Sequence, residues 1–282
     1  MRNSRKKTNK LLPALLGLLA VAGIAISAFF FFQGGNNTTS SVNSQPNSSQ
    51  QATSSSTAAT YQISEEEKAA LKEQFDGLKG VNPDTIGYVY APGTNLDEPV
   101  VYSGDNEIYL SKLFDGSGQD PYMGTVFMDM DNKTDFSDKL TWLFGHARGS
   151  KVPDSRMFND VNFYDDQAFF DAHPYVVVRT PEKVHYYQAA FMIIVHESTA
   201  FYRTSFDSDQ QFEEQLTAVR EGAVAKNDNI EIKASDNYLV LSTCREDDET
   251  IRANLYLREI PESELGDFLA EHKDELNYVP TR

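Results

Sequence analysis

The sequence predicts a mostly-β domain, a barrel or a sandwich decorated with helices, and three observations support this fold class. Residues 61–282 give a length of about 220 residues, which suits a single all-β unit. Short β-rich runs follow one another along this length, and turn signals such as Ala91-Pro-Gly-Thr94 separate them. Helical patterns interrupt the runs at only a few places, and there are no internal repeats.

The domain opens with a helix. Ser64 is a suitable N-cap and Glu67 completes a capping box, while Lys79-Gly80 indicates the end of the helix. Later helices are expected at Asp165–Ala172, Ser208–Val224 and Ser263–Leu276. The expected strands are Ile86–Tyr90, Val100–Tyr102, Gly124–Met128, Leu140–Phe144, Tyr175–Arg179, His185–His196, Tyr238–Thr243 and Arg252–Glu259.

A membrane anchor is predicted before this domain. The chargeless apolar stretch Leu11–Phe32 would span roughly 33 Å as a helix, about one hydrocarbon core. A cleaved signal peptide is the alternative, but four phenylalanines continue past its candidate cleavage site. The basic residues before the stretch predict a cytoplasmic tail at 1–10, an anchor at 11–32 and the rest of the chain outside the cell membrane. They are Arg2, Arg5, Lys6, Lys7 and Lys10.

Residues 33–60 are rich in Ser, Thr and Asn and carry no charge, which predicts a disordered tether with an end-to-end distance of about 30 Å. The whole chain has a net charge of −17, and its first sixty residues contain five cations and no acid, so residues 61–282 carry −22. This charge excludes nucleic acid as an expected partner. Solubility is the simpler reason for the acidity, and steering of a basic partner such as a lysine amine is the other.

Cys244 is the only cysteine, and it ends a predicted strand. Outside the cell, cysteines usually pair as disulfides, so a lone thiol is buried and inert, paired between chains, or kept as a nucleophile. A thiol with an ordinary pKa of about 8.5 is mostly protonated at neutral pH. A nucleophilic Cys244 therefore needs a base or a cation beside it.

His146 and Arg252 are the candidates for these neighbours. His146 leaves a predicted strand into a glycine-flanked polar loop, a typical position in a cleft, and a hairpin would place Arg252 beside the thiol to stabilise an oxyanion. Arg245 is the rival, but adjacent strand residues face opposite sides, and an ion pair with the acidic loop 246–249 is favoured for it. No cluster has metal-ligand spacing, and no cofactor is indicated.

These residues resemble the active site of a sortase. The matching motifs are Leu241-Ser-Thr-Cys244, Arg252 at the head of a strand and Phe144-Gly-His146. Sortases are membrane-anchored cysteine transpeptidases of Gram-positive bacteria. Further motifs between about Ser64 and Glu259 are similar to class B sortases in particular. They include Asn82-Pro-Asp-Thr-Ile-Gly-Tyr88, Pro92-Gly-Thr-Asn95, Asp105-Asn-Glu-Ile-Tyr-Leu110 and Gly124-Thr-Val-Phe-Met-Asp129.

The resemblance implies a sortase-like closed β-barrel with an N-terminal helical extension and further helices, one of them between the late strands. It also implies that Cys244 is the nucleophile, His146 the general acid/base and Arg252 the stabiliser of substrate and oxyanion. The residues that it assigns to substrate binding are Ser242, Thr243, Asn106, Leu110, Phe144, where relatives often have tyrosine, and the lid residue Tyr202.

The implied reaction is transpeptidation. The enzyme cleaves a C-terminal sorting motif of surface proteins through a thioacyl intermediate and joins the new carboxyl end to an amine. That amine belongs to a peptidoglycan cross-bridge, in cell-wall anchoring, or to a pilin lysine, in pilus assembly. Three alternatives stay open: an L,D-transpeptidase, whose S-H-G-C-type setting is absent, a thiol protease that uses water, and an inactive surface-binding module with Cys244 in its core.

Overall fold

A computed structural model describes residues 61–148, 156–199, 201–245 and 248–282. The predicted cytoplasmic tail, anchor and tether, residues 1–60, lie outside these described residues and stay predictions. Within the described residues, no helix is both long enough and apolar enough to cross a membrane.

The described part of the chain contains four α-helices and nine strands. The helices are α1 Glu65–Val81, α2 Gln167–Ala172, α3 Asp209–Glu221 and α4 Glu262–His272. The strands are β1 Thr85–Tyr90, β2 Asp97–Val101, β3 Val126–Met128, β4 Leu140–Phe144, β5 Tyr175–Arg179, β6 Val184–His196, β7 Ala225–Lys226, β8 Tyr238–Cys244 and β9 Ile251–Glu259. Short 3-10 helices lie at Ile108–Leu110, Asn159–Asp165 and Lys273–Glu275.

The strands close into a barrel. Their order is β5-β1-β2-β3-β4-β8-β9-β6, the pairing of β5 with β6 closes the ring, and β7 pairs with β6 outside it. Most neighbours are antiparallel, but β2 pairs in parallel with β3, and β4 pairs in parallel with β8. The predicted closed barrel is therefore confirmed, with a helix before it and α3 between the late strands, and the alternative of a sandwich is wrong.

Strand alternation on β8 separates two apolar layers. Leu239 and Leu241 belong to the cluster that fills the barrel, whereas Tyr238 and Val240 belong to a second cluster on its outer face. This second cluster includes the buried side of α3. Because successive strand residues point to opposite faces, Ser242 and Cys244 continue the outer row beyond Val240.

One of the two hydrogen bonds of the capping box expected for α1 is present. The Ser64 hydroxyl accepts a hydrogen bond from the amide of Glu67 at 3.1 Å, as an N-cap does. The Glu67 carboxylate accepts from the hydroxyl of Tyr61 at 2.7 Å. The residues that anchor α1 on the barrel are Leu71 and Phe75, its two buried side chains.

Candidate active site

His146 and Cys244 lie at the same ends of two neighbouring parallel strands. Phe144 of β4 is opposite Ser242 of β8 in the parallel register, and His146 and Cys244 each follow two residues later. The amide of Gly145 donates to the carbonyl of Ser242 at 3.2 Å, so the ladder continues past the end of β4. Since residues two apart share one face, both functional side chains border the same outer cavity.

The hairpin of β8 and β9 places Arg252 beside the thiol. Cys244 is directly opposite Arg252, and Ser242 is directly opposite Asn254. Directly opposed residues of an antiparallel pair have Cβ atoms about 4.5–5.5 Å apart, on the same face of the sheet. The hairpin expected from the sequence is therefore present, and four polar side chains line one patch of the outer face.

Arg245 follows Cys244 but lies on the other side. Its guanidinium forms an ion pair with the carboxylate of Asp165, at 2.7 Å between Nη1 and Oδ2. Asp165 ends the 3-10 helix Asn159–Asp165, which is far away in sequence. Arg245 thus has a partner that the sequence did not indicate, and this partner directs it away from the thiol.

The outer face carries a cavity of about 400 Å³ at this point. Every catalytic and substrate-binding residue predicted from the sequence borders it: Cys244, His146, Arg252, Ser242, Thr243, Asn106, Leu110, Phe144 and Tyr202. Strand alternation directs the side chain of Thr243 to the opposite face, and its hydroxyl is buried.

Aromatic rings form one wall of the cavity. The ring of Phe144 lies 5.4 Å from that of Phe127 and 6.2 Å from that of Tyr202, centre to centre. Tyr202 also contacts the ring of Trp142 edge-on at 5.2 Å. This apolar wall lies beside the polar patch of Cys244, so the cavity offers an aromatic surface next to the thiol.

A backbone carbonyl orients the imidazole of His146. The Nε2 atom lies 2.8 Å from the carbonyl oxygen of Leu110, which can only accept, so Nε2 donates. The position of this carbonyl requires a glycine at 124. Gly124 has φ +55°, and a Cβ atom there would lie 2.3 Å from the carbonyl oxygen of Tyr109 and 2.7 Å from that of Leu110.

Two acceptors orient the guanidinium of Arg252. Its Nη2 atom is 2.6 Å from the carboxylate of Glu197, and its Nη1 atom is 2.5 Å from the carbonyl oxygen of Glu249. The amide of Glu197 donates to the carbonyl of Thr250 at 2.8 Å, so Glu197 is fixed beside the start of β9. Arg252 therefore faces the cavity with its position set by a neighbouring carboxylate.

Sequence reasoning missed several residues that border the cavity, among them Glu197, Trp142 and Asn254. Asn254 could have been predicted from the sequence, because it lies two residues after Arg252 on the same strand face. Glu197 could not have been predicted, because its place beside Arg252 depends on the pairing of β6 with β9. Within the described ranges, no three His, Cys, Asp or Glu side chains are grouped as metal ligands.

The structure thus combines a closed β-barrel with a cysteine, a histidine and an arginine around one outer cavity, and comparisons with known proteins find sortases. The chain is 28% identical to sortase B of Listeria monocytogenes serovar 1/2a over 176 residues, which cover 62% of this chain and 68% of that protein. It is also 28% identical to sortase B of Staphylococcus aureus over 178 residues, covering 62% and 69%. No family model matches the chain.

Comparison with solved structures also finds a sortase B. The Staphylococcus aureus sortase B-substrate complex aligns with a TM-score of 0.61 and 26% identity, over 67% of this chain and 85% of that chain. The resemblance to class B sortases is therefore confirmed by sequence and by fold. These relatives imply a sortase transpeptidase.

Proposed function

We propose that this chain is a cysteine transpeptidase that cleaves C-terminal sorting motifs of surface proteins through a thioacyl enzyme. The observation that carries the proposal is the convergence of Cys244, His146 and Arg252 on one cavity. Two parallel strand ends supply the thiol and the imidazole, and the β8–β9 hairpin supplies the guanidinium. A nucleophile, an acid/base and an oxyanion donor are the three groups that acyl transfer requires.

In the first half of the reaction, the thiolate of Cys244 attacks the carbonyl carbon of a threonine-like residue. A C–S bond forms, the scissile C–N bond breaks, and His146 gives a proton to the departing amine. Because Nε2 of His146 is engaged with the carbonyl of Leu110, Nδ1 is the nitrogen that exchanges protons in the cavity. The N–H groups of Arg252 donate to the oxygen that becomes negative.

In the second half, an amine attacks the thioester carbonyl. A new C–N bond forms, the C–S bond breaks, and His146 takes the proton that the amine loses. The same imidazole thus acts once as acid and once as base. Water as the acceptor would give hydrolysis, which is the thiol-protease alternative.

The remaining residues of the cavity suit the binding of an extended peptide. Ser242 and the backbone of Thr243 lie just before the thiol, and Asn106 and Leu110 also border the cavity. Phe144 and Tyr202 supply apolar surface to the same cavity. A substrate complex of Staphylococcus aureus sortase B supports a sorting peptide as the ligand of this cavity.

The proposed acceptor is an amine of a peptidoglycan cross-bridge or a pilin lysine. The charge of −22 on residues 61–282 favours approach of a basic group and does not distinguish the two amines. We also propose that residues 11–32 anchor the protein in the cell membrane, with residues 61–282 outside. A tether of about 30 Å would let the domain reach a membrane-held substrate.

The test is a peptide-library experiment on the full chain. The chain is incubated with sorting peptides, with and without triglycine or a lysine amine, and products are identified by mass spectrometry. We expect a thioacyl adduct on Cys244 and a new amide only when an amine is present. Cys244→Ala and His146→Ala should form no product, whereas His173→Ala, a histidine outside the cavity, should retain activity.

Three results would contradict the proposal. Product formation by Cys244→Ala would exclude the thiol as the nucleophile. A free carboxylate as the product at every amine concentration would favour the thiol protease. Failure of every peptide to acylate Cys244, together with a thiol that resists a small alkylating probe, would favour the inactive binding module.

A further inference from the structure

Asp129 is a fully buried carboxylate next to residues of the cavity wall. Its Oδ2 atom accepts from the side-chain amide of Asn106 at 2.9 Å and from the hydroxyl of Tyr202. Its Oδ1 atom accepts from the amide of Asp131 at 2.9 Å. These three donors are neutral, and a buried charge depends strongly on the hydrogen bonds that it receives.

One of these bonds holds the wall that contains Asn106. The side-chain oxygen of Asn106 accepts from the amide of Met130 at 2.9 Å, so both ends of its amide group are engaged. Asn106 lies just before the 3-10 helix Ile108–Leu110. The carbonyl of Leu110 is the group that orients His146, so this wall also carries the acceptor for the imidazole.

The other bond holds the wall that contains Tyr202. Tyr202 belongs to the connection between β6 and α3, and its ring packs against Trp142 and Phe144. The indole N–H of Trp142 donates to the carbonyl of Arg203 at 2.8 Å, which fixes the next residue. Burial and the bond to Asp129 raise the pKa of Tyr202, so its hydroxyl stays protonated and keeps donating.

We propose that Asp129 is a positioning residue that holds these two walls together and thereby sets the width of the cavity for the sorting peptide. Asp129 does not itself border the cavity and acts through Asn106 and Tyr202. The identity of the peptide rests on the proposed function. The tie between the walls does not, because it follows from contacts within the chain.

The first measurement needs no substrate. Trp142 is the only tryptophan, so its fluorescence reports on the packing of Tyr202. Tyr202→Phe removes the hydroxyl and keeps the ring, and Asp129→Asn removes the charge at nearly constant volume. Both variants should increase quenching of Trp142 by acrylamide. Tyr88→Phe is the matched control. It also removes a hydroxyl that donates to an aspartate, Asp97, at 2.8 Å, but Tyr88 lies on β1, which is not a neighbour of the strand that carries Trp142. Quenching of Trp142 in this variant should equal that of the parent.

The second measurement is the affinity of the chain for the sorting peptide. It is made in a Cys244→Ala background, so that no acyl adduct forms, and Trp142 fluorescence reports binding. Loss of a hydrogen bond to a charged group should weaken binding about tenfold in either variant. The double variant should bind no more weakly than Asp129→Asn alone, because both changes remove one tie. If the two changes were independent packing defects, their losses of peptide affinity would instead multiply.

The outcomes separate the two claims. Increased quenching in Tyr202→Phe and Asp129→Asn supports the tie even if no sorting peptide binds, in which case the proposed function fails alone. Quenching equal to that of the parent in Tyr202→Phe, a variant that retains the ring and so is expected to fold, overturns the tie. If a sorting peptide binds, unchanged peptide affinity in both variants, or purely multiplicative losses, overturns the role of Asp129 in setting the width of the cavity.

Discussion

Arg252 and Arg258 lie on the same face of β9, six residues apart, and they differ in how fully their guanidinium groups are occupied. Arg258 donates four hydrogen bonds, two to Asp236 and two to Glu264, and its side chain is 10% exposed. Arg252 is 28% exposed and donates, among the described residues, to one carboxylate and one carbonyl. Four of the five N–H groups of Arg258 are thus engaged, whereas Arg252 uses two of its five among the described residues.

The comparison shows that the partners, and not the residue type or the strand, separate a structural arginine from a candidate catalytic one. Two carboxylates each occupy an edge of the Arg258 guanidinium, so neither of these edges is offered to a developing oxyanion. Arg252 has one edge held by Glu197, which fixes its direction. Four variants test this difference.

Arg258→Ala should have the largest effect, and it should be on stability. Removing one partner of a buried pair leaves the charge of Asp236 uncompensated and typically costs about 3–5 kcal/mol in the free energy of unfolding. Urea unfolding followed by circular dichroism measures this loss. The specific activity of the folded fraction should stay at the parental value, and an unchanged unfolding midpoint would contradict the structural role.

Arg252→Ala should show the reverse pattern. The loss of one oxyanion donor typically lowers kcat by about 10²–10³-fold. Because the Arg252–Glu197 pair is solvent-exposed, its removal should change the free energy of unfolding by less than about 1 kcal/mol. Initial rates of peptide cleavage, measured beside unfolding curves, check both numbers. Retention of full activity would exclude Arg252 from the chemistry.

Glu197→Ala should have an intermediate effect on activity. Without its carboxylate partner, the guanidinium of Arg252 loses its fixed direction, and we expect kcat/KM to fall about tenfold. Glu197→Gln keeps an acceptor at the same place and should recover part of the rate. Glu221→Ala, which changes an exposed glutamate of α3, is the control. A higher rate in Glu197→Ala would mean that this carboxylate withholds Arg252 from the substrate.

Glu264→Gln should give the smallest effect, and it should depend on pH. The hydrogen bonds from Arg258 lower the pKa of Glu264 below its ordinary value. A lowered pKa in the folded state adds stability above the unfolded-state pKa, about 4.3, and this stability disappears as the pH falls through the folded-state pKa. The variant should therefore lose at most about 1 kcal/mol at pH 7, since Glu264 is half exposed.

Thermal unfolding at neutral pH and near pH 3 measures this dependence. The difference between the parent and Glu264→Gln should shrink at the acidic pH, because the stability that the lowered pKa of Glu264 adds is lost as the pH falls through that pKa. Glu262→Gln, an exposed change in the same turn of α4, should show no such difference. An equal deficit at both pH values would mean that packing, and not charge, is responsible.

Local patterns predicted most of the barrel. Leu140–Phe144 and Tyr175–Arg179 have the bounds that their sequences predict, because compact β-rich runs end at polar or turn-forming residues. The strand expected from Gly124 begins at Val126, since Gly124 adopts a left-handed conformation against the backbone at Tyr109. β7 has only two residues, too few to carry a pattern.

The residues of the candidate site also fall into two groups, those that the sequence predicted and those that it did not. Cys244 and Arg252 are close in sequence and share a hairpin, and His146 was identified by its motif and the resemblance. Glu197 lies in none of the motifs, and Asp129 ends the motif Gly124–Asp129, which indicates no role for it. Each of these carboxylates reaches its partner across a pairing or a connection whose register no local pattern specifies. Motifs therefore found the candidate reacting groups, and only the folded chain revealed the carboxylates that contact Arg252, Asn106 and Tyr202.

The parallel pairing of β4 with β8 has a consequence for biogenesis. The thiol of Cys244 and the imidazole of His146 lie on segments that are distant in sequence and meet only when these two strands align. Pairing between such distant segments is slow to form, so Cys244 gains its imidazole neighbour late in folding. The proposed acyl-transfer activity would therefore report directly on a completed barrel.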